Sequence, residues 1–287
     1  MNSRLKNRLI DKLFGYFGII ATVFALGVLA IFIFDIAKEG IPRIDLDFIT
    51  RPPSSLSAKR AGIWPALNGT LWVFGITAFF AIPIGIGAGI YLEEYMSKSK
   101  LSQVLELNLS NLAGVPSVIY GLLGLAFFKG VLGFKTANVV IAGGFTLALL
   151  ILPVIIVATR EALRAVPHSI REASYGLGAT KWQTIWNQVL PSALGGVMTG
   201  TILALSRAIG ETAPLLILGV VLYIKKAPSS PMDLFTVLPM QIYNWVQERE
   251  EFMANASGAI IILLAITFAL NGIAIYIRNK QQKKINW

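Results

Sequence analysis

Ser192-Ala-Leu-Gly-Gly-Val-Met-Thr-Gly200-Thr-Ile-Leu-Ala-Leu-Ser-Arg207-Ala-Ile-Gly210-Glu211-Thr-Ala-Pro214-Leu-Leu-Ile-Leu-Gly-Val-Val-Leu-Tyr-Ile224 is an apolar run of 33 residues with two charges in its interior. About 20 such residues, wound as a helix, cross a hydrocarbon layer about 30 Å thick. A charge at mid-bilayer depth costs from about 3 to more than 10 kcal/mol, so Arg207 and Glu211 must face protein or water rather than lipid. Their i, i+4 spacing puts them on one helix face, where each neutralises the other. Gly210 and Pro214 beside them loosen the helix and free backbone groups for water or a ligand.

The rest of the chain agrees with a membrane setting. Its 287 residues are 55% hydrophobic and only 14% charged, with mean hydropathy +0.67. A soluble chain carries about 25% charged residues. Five further runs are long enough to span, so the expected spans are roughly 13–36, 68–92, 112–132, 137–159, 192–224 and 256–277. The basic Arg4, Lys6, Arg8 and Lys12 before the first run resemble a secretory signal. Its apolar core is too long for one and ends in Asp35-Ile-Ala-Lys38, so it is read as a retained span. The expected fold is therefore an all-α integral membrane protein of six transmembrane helices, a single domain over 1–287 with no linker or repeat.

Six spans put both termini on one side. If that side is cytoplasmic, it holds 14 Lys and Arg against 10 on the other face, a modest positive-inside bias. The net charge of +10 is thus mainly topogenic and does not call for nucleic acid. With no cysteine and one histidine, His168, neither a thiolate metal site nor a thiol nucleophile is available, and no metal site is expected. Gly85-Ile-Gly87-Ala-Gly89, Gly121 to Gly124, Gly143-Gly144 and Gly196 to Gly200 are small-residue patches suited to close helix packing. The larger outer loops are 38–63 and 225–255, both partly irregular because of their prolines.

The most informative polar stretch is the loop 160–191. Ser169-Ile-Arg-Glu172 and Thr180-Lys-Trp-Gln183 are both capping-box patterns, and Gly176 and Gly178 lie between them. The loop is expected to be helix, glycine turn, helix: a rigid elbow outside the membrane. By residues alone it is equally an amphipathic interfacial segment with Trp182 and Trp186 in the aromatic belt. The pair in span 5 likewise has two readings, a structural ion pair or an anion site. Arginine's planar fork matches a tetrahedral oxyanion. A carboxylate beside it suits an anion that carries its own proton: Glu211 can accept the P–OH hydrogen of hydrogenphosphate, which sulfate lacks.

Glu172-Ala-Ser-Tyr-Gly-Leu-Gly178, followed after nine residues by Gln188-Val-Leu190-Pro191, resembles the EAA loop of bacterial ABC importer permeases, with Ser174 and Gln188 departing from that pattern. Arg207-Ala-Ile-Gly-Glu-Thr-Ala-Pro-Leu-Leu216, with Ser206 before it and Gly114-Val-Pro-Ser-Val-Ile-Tyr-Gly-Leu-Leu-Gly124 in span 3, resembles permeases of the bacterial high-affinity phosphate (Pst) importer, on the side of its PstA subunits. The resemblance covers essentially the whole chain. It implies a type I importer permease bundle (MetI-like) in the inner membrane, with both termini cytoplasmic. It also implies a second permease subunit (PstC-type), two ATPase subunits (PstB-type) and an extracytoplasmic phosphate-binding protein (PstS-type). Carried over residue by residue, Glu172, Ala173 and Gly178 would dock the ATPase, and Arg207 and Glu211 would line the phosphate pathway.

No Gly-Lys dipeptide occurs anywhere, so the chain has no P-loop. No catalytic residue is expected, and no cofactor in this chain, with ATP and Mg used by the partner ATPase. The chain is thus expected to be a transporter subunit and not an enzyme. The alternative is a gradient-driven secondary anion transporter or channel, which accommodates the charged pair but leaves the elbow without a role.

Overall fold

The computed structural model describes residues 3–96, 100–221 and 223–282. The side chains of Arg4, Lys6 and Arg8 and the residues Lys283 and Lys284, which count toward the 14 Lys and Arg on the expected cytoplasmic side, lie outside that part. The described residues form α1 (Ser3–Gly40), α2 (Leu46–Thr50), α3 (Trp64–Ile90), α4 (Lys100–Ala113), α5 (Ser117–Leu125), α6 (Val140–Arg164), α7 (His168–Gly176), α8 (Lys181–Thr184), α9 (Leu190–Gly210), α10 (Ala213–Ile217), α11 (Leu238–Gln247) and α12 (Met253–Gln282). Single π-helical turns at Tyr91–Tyr95, Ala126–Val131 and Ile185–Val189 extend α3 and α5 and join α8 to α9. Five segments are long and apolar enough to span, and a sixth arises if the bent pair Val104–Ala113 and Ser117–Val131 counts as one.

Two expected spans are interrupted. The third turns through 102° between α4 and α5. Pro116 disfavours helical geometry in the residue before it and has no amide to donate. The Leu112 carbonyl accepts the Val115 amide at 3.1 Å and the Tyr120 hydroxyl at 2.9 Å. The fifth does not continue to Ile224. Its helix ends at Gly210, Glu211 is extended (φ −76°, ψ 121°), and one short turn, α10, follows before Gly219 at φ +76°. Pro214 again withholds an amide. At the other end the span begins earlier than expected, running through the π turn back to Lys181.

α3, α6 and α9 make the centre, and the glycines explain how closely they approach. A β-carbon on Gly85 or Gly89 would meet Ile155 and Thr159 of α6 at 2.6 Å, and one on Gly196 or Gly200 would strike Ala162 or Ala158. Gly121 and Gly124 bring α5 against the Pro214 backbone and Thr146. Gly87, in the middle of its patch, faces open space. Buried Leu147, Ile151, Ile155, Ala204, Ala208 and Leu215 fill this core. A second core, with Phe48, Trp245 and Phe252, closes the end of the bundle where α2, α11 and the start of α12 meet.

The loop 225–255 is more ordered than its prolines suggest. Phe235 and Trp245 are buried. The Leu238 amide donates to the Thr70 hydroxyl at 2.8 Å. Asp233 and Pro231 carbonyls accept the Val140 and Ile141 amides, satisfying the first turn of α6. Ser206 meets Asn271 and Thr199 meets Arg278, so α9 and α12 run antiparallel, while Glu39 meets Ser257 where α1 and α12 cross over. The described ends of α1 and α12 therefore leave the bundle on the same side as α7 and α8.

Replacing Gly89 with alanine should destabilise the detergent-solubilised protein by about 1–3 kcal/mol through overpacking on Thr159. The same change at Gly87 should be neutral or slightly stabilising, because alanine is the better helix former. Thermal unfolding of the two variants side by side checks the pair; equal losses would refute the packing account.

Candidate functional site

Two constellations bear chemistry, at opposite ends of α9. At the far end, Arg207 lies in the last helical turn and Glu211 is the residue that ends it. The pair therefore sits at a helix terminus and not inside an unbroken helix, as the apolar run suggested. A helix C-terminus carries partial negative charge, which favours the guanidinium there. Arg207 Nε meets Glu211 Oε1 at 3.2 Å, with side-chain exposures of 48% and 18%. Among the described residues, this is the hydrogen bond the guanidinium makes. Its terminal nitrogens are left for a ligand or water. Ser206 pins the same turn to α12 through Asn271 at 2.5 Å.

On its other side Glu211 borders a small cavity of about 10 Å³ with Thr70, Thr77, Phe74, Leu215 and Val237, room for roughly one water. Thr77 donates to the Gly144 carbonyl at 3.0 Å, and Thr70 donates to Ala66 while accepting from Leu238. Asn68, Thr70 and Tyr120 each donate to a backbone carbonyl. Thr77 shares the cavity wall with Glu211, and no sequence motif marks it.

At the near end, α7, a turn and α8 form the elbow. Thr180 and Gln183 make the expected capping box, with Gln183 Oε1 accepting the Thr180 amide at 2.8 Å and the Thr180 hydroxyl accepting the Gln183 amide at 3.3 Å. The Ser169–Glu172 box does not form. α7 already starts at His168, so Ser169 lies inside the helix and no side chain caps it. The turn rests on Gly178, at φ +82°, whereas Gly176 remains helical. Ser174, one of the departures from the EAA pattern, bonds the buried Thr184 hydroxyl at 2.9 Å and braces α7 against α8. Glu172, Ala173 and Gly178 are exposed, and Leu177 at the tip is 90% exposed. The elbow encloses a concavity of about 890 Å³ lined by Ala173, Ser174, Leu177, Gly178 and Gln183. Trp182 and Trp186 stack at 5.4 Å on its outside.

Residues 81–285 match the family described as the binding-protein-dependent transport system inner membrane component. The chain belongs to that family. It is a multi-pass inner-membrane protein of a binding-protein-dependent transport system. It is 29% identical over 282 residues to the probable ABC transporter permease protein YqgI of Bacillus subtilis, covering 93% of this chain and 95% of that one. It is 36% identical over 222 residues to the phosphate transport system permease protein PstA 1 of Mycobacterium tuberculosis, covering 76% and 70%. To the probable PstA of Methanocaldococcus jannaschii it is 30% identical, covering 91% and 90%. The fold is shared with a chain of the MetNI methionine ABC transporter in an inward-facing conformation, with TM-score 0.61 at 19% identity, covering 76% of this chain and 97% of that one. It is also shared with a chain of a bacterial alginate-importing ABC transporter, with TM-score 0.65 at 14% identity, covering 97% and 99%.

A half-exposed i, i+4 pair contributes little to stability. The coupling energy of Arg207 and Glu211 in a double-mutant cycle of alanine variants should be below about 1 kcal/mol. A markedly larger value in thermal unfolding would make the pair a structural lock instead.

Proposed function

We propose that this chain is the permease subunit through which inorganic phosphate crosses the inner membrane in an ABC importer of the PstA type. The observation that carries the proposal is the Arg207–Glu211 pair: a guanidinium with nearly half its surface uncovered at the end of an apolar helix. Lipid is ruled out as its neighbour by the cost of burying the charge there. A water-filled pathway, completed by a second permease subunit, supplies the environment it needs. Arg207 offers its two uncommitted nitrogens to the oxyanion, and Glu211 accepts a hydrogen bond from the P–OH group of hydrogenphosphate. The relatives named as phosphate permeases support the choice of substrate.

The energy comes from outside the chain. Of two ATPase subunits (PstB-type), using ATP and Mg, one docks at the elbow, with Glu172 and Ala173 on the docking face and Gly178 making the turn. A phosphate-binding protein (PstS-type) delivers substrate to the opposite face, and a PstC-type permease pairs with this one. Closure and reopening of the ATPases alternate access to the pathway, and this chain itself hydrolyses nothing.

Arg207→Ala should lower phosphate uptake about 10- to 100-fold, the loss of a charge-assisted hydrogen-bond pair. Glu211→Gln should erode discrimination of phosphate from sulfate. Uptake should survive a protonophore and stop on ATP depletion; the reverse pattern would replace this proposal with a gradient-driven transporter, and wild-type uptake in both variants would remove the pair from the pathway.

A separate check concerns the elbow. Alanine at Gly178 forces a β-carbon into left-handed backbone, at about 1–2 kcal/mol. ATPase recovered with the affinity-purified complex should fall several-fold in Gly178→Ala and stay at the wild-type level in Gly176→Ala.

A further inference from the structure

The π-helical turn Tyr91–Tyr95 at the near end of α3 meets each neighbouring element through a different consecutive residue. Glu93 pairs with Arg160 at 3.3 Å and Arg164 at 3.0 Å, both on α6. Glu94 pairs with Arg171 on α7 at 2.6 Å. Tyr95 lies under the Lys181 ammonium of α8, 5.0 Å from the ring centroid. Insertion of one residue into a helical turn re-aims the side chains around it, and such turns recur at functional sites.

The Glu94–Arg171 link is the tightest of the three. Side-chain exposures are 7% for Glu94 and 11% for Arg171. The guanidinium is held at every edge: Nε and Nη2 donate to Glu94, Nη1 donates to the Val166 carbonyl at 2.8 Å, and Nη2 also donates to the Leu163 carbonyl at 3.0 Å. One side chain thus ties α7 to the end of α6 and to α3. At the other end of α3, Thr70, Val73 and Thr77 line the cavity beside Glu211. α3, a 27-residue helix of about 40 Å with Pro83 inside it, therefore joins the latch to the wall of the proposed pathway.

We propose that Glu94 and Arg171 are positioning residues for transport: the latch through which movement of the ATPase-docking elbow is passed to α3 and so to the cavity at Glu211. This rests on the proposed role of the elbow. A buried ion pair is a poor source of net stability. Its fork geometry and fixed carbonyl anchors suit a rigid mechanical joint, and that requires arginine in particular.

The test uses the reconstituted complex with its ATPase and binding protein. Variants Glu94→Gln and Arg171→Lys are each made in wild-type background and with Val73→Cys, the chain having no cysteine of its own. Two quantities are read: ATP-driven uptake of inorganic phosphate, and the change in thiol labelling of residue 73 when the complex is trapped with ATP and orthovanadate. Both variants should lose about tenfold in uptake, and labelling should no longer respond to trapping. Lysine, which keeps the charge but not the fork, should fail to rescue.

Uptake within twofold of wild type would overturn the latch, as would a labelling response that persists while uptake is lost. If a single variant fails to assemble, the Glu94→Cys, Arg171→Cys double variant joined by a cleavable thiol cross-linker decides. Uptake should return on cross-linking and disappear on cleavage, and a formed tether without recovery refutes the proposal. Labelling is read without phosphate, so a wild-type complex that responds to trapping but imports no phosphate would remove the substrate assignment and leave the latch standing.

Discussion

Hydrocarbon offers no hydrogen-bond partner, and every departure from regular helix in this bundle is arranged around that fact. Where Pro116 breaks the third span, Tyr120 takes up the carbonyl of Leu112. Where the outer loop starts α11, Thr70 receives the amide of Leu238. The first amides of α6 are met by carbonyls of Pro231 and Asp233. Because these backbone groups find partners inside the protein, the third span can break sharply at Pro116 and the outer loop can pack against the bundle.

Charges obey the same constraint in a second way. At the near end of the bundle, arginines of α6 and α7 are paired with carboxylates on one turn of α3. At the far end of α9, Arg207 has a partner in Glu211 yet keeps almost half its surface open. The difference in burial between Arg160 or Arg171 and Arg207 separates two jobs: the covered arginines join helices, and the uncovered one faces a space that water or an anion can enter. α3 and α9 connect the two ends, with glycine-lined contacts to α6 that pack the three helices closely.

Much of the fold was legible in the apolar runs, because a stretch of about 20 apolar residues has few alternatives to a spanning helix. α1 shows this most simply, since its exposed, apolar surface has no competing tertiary demand. Gly114-Val-Pro116 and Gly210 to Pro214 were visible as helix-weakening residues, but hydropathy averages over them and cannot tell a kink from a 102° turn. The second capping box of the elbow was read correctly from Thr180 and Gln183; the first was not, because Pro167 lets α7 begin one residue before Ser169. Glycine patches announced close packing without saying which members touch: Gly85 and Gly89 do, and Gly87 does not.

The sequence by itself determined that the chain lives in a membrane, that Arg207 and Glu211 stand four residues apart and within reach of each other, and that a polar elbow precedes the fifth span. Each follows from local composition and a helical spacing of three or four residues. Only the tertiary structure decided that the pair stands at a helix end beside a cavity shared with Thr77, and that Glu94, distant in sequence, grips Arg171. Those facts depend on which helices approach and in what register. That is settled by side-chain volumes across the interfaces and by partners for buried polar groups, neither of which is written in any one segment.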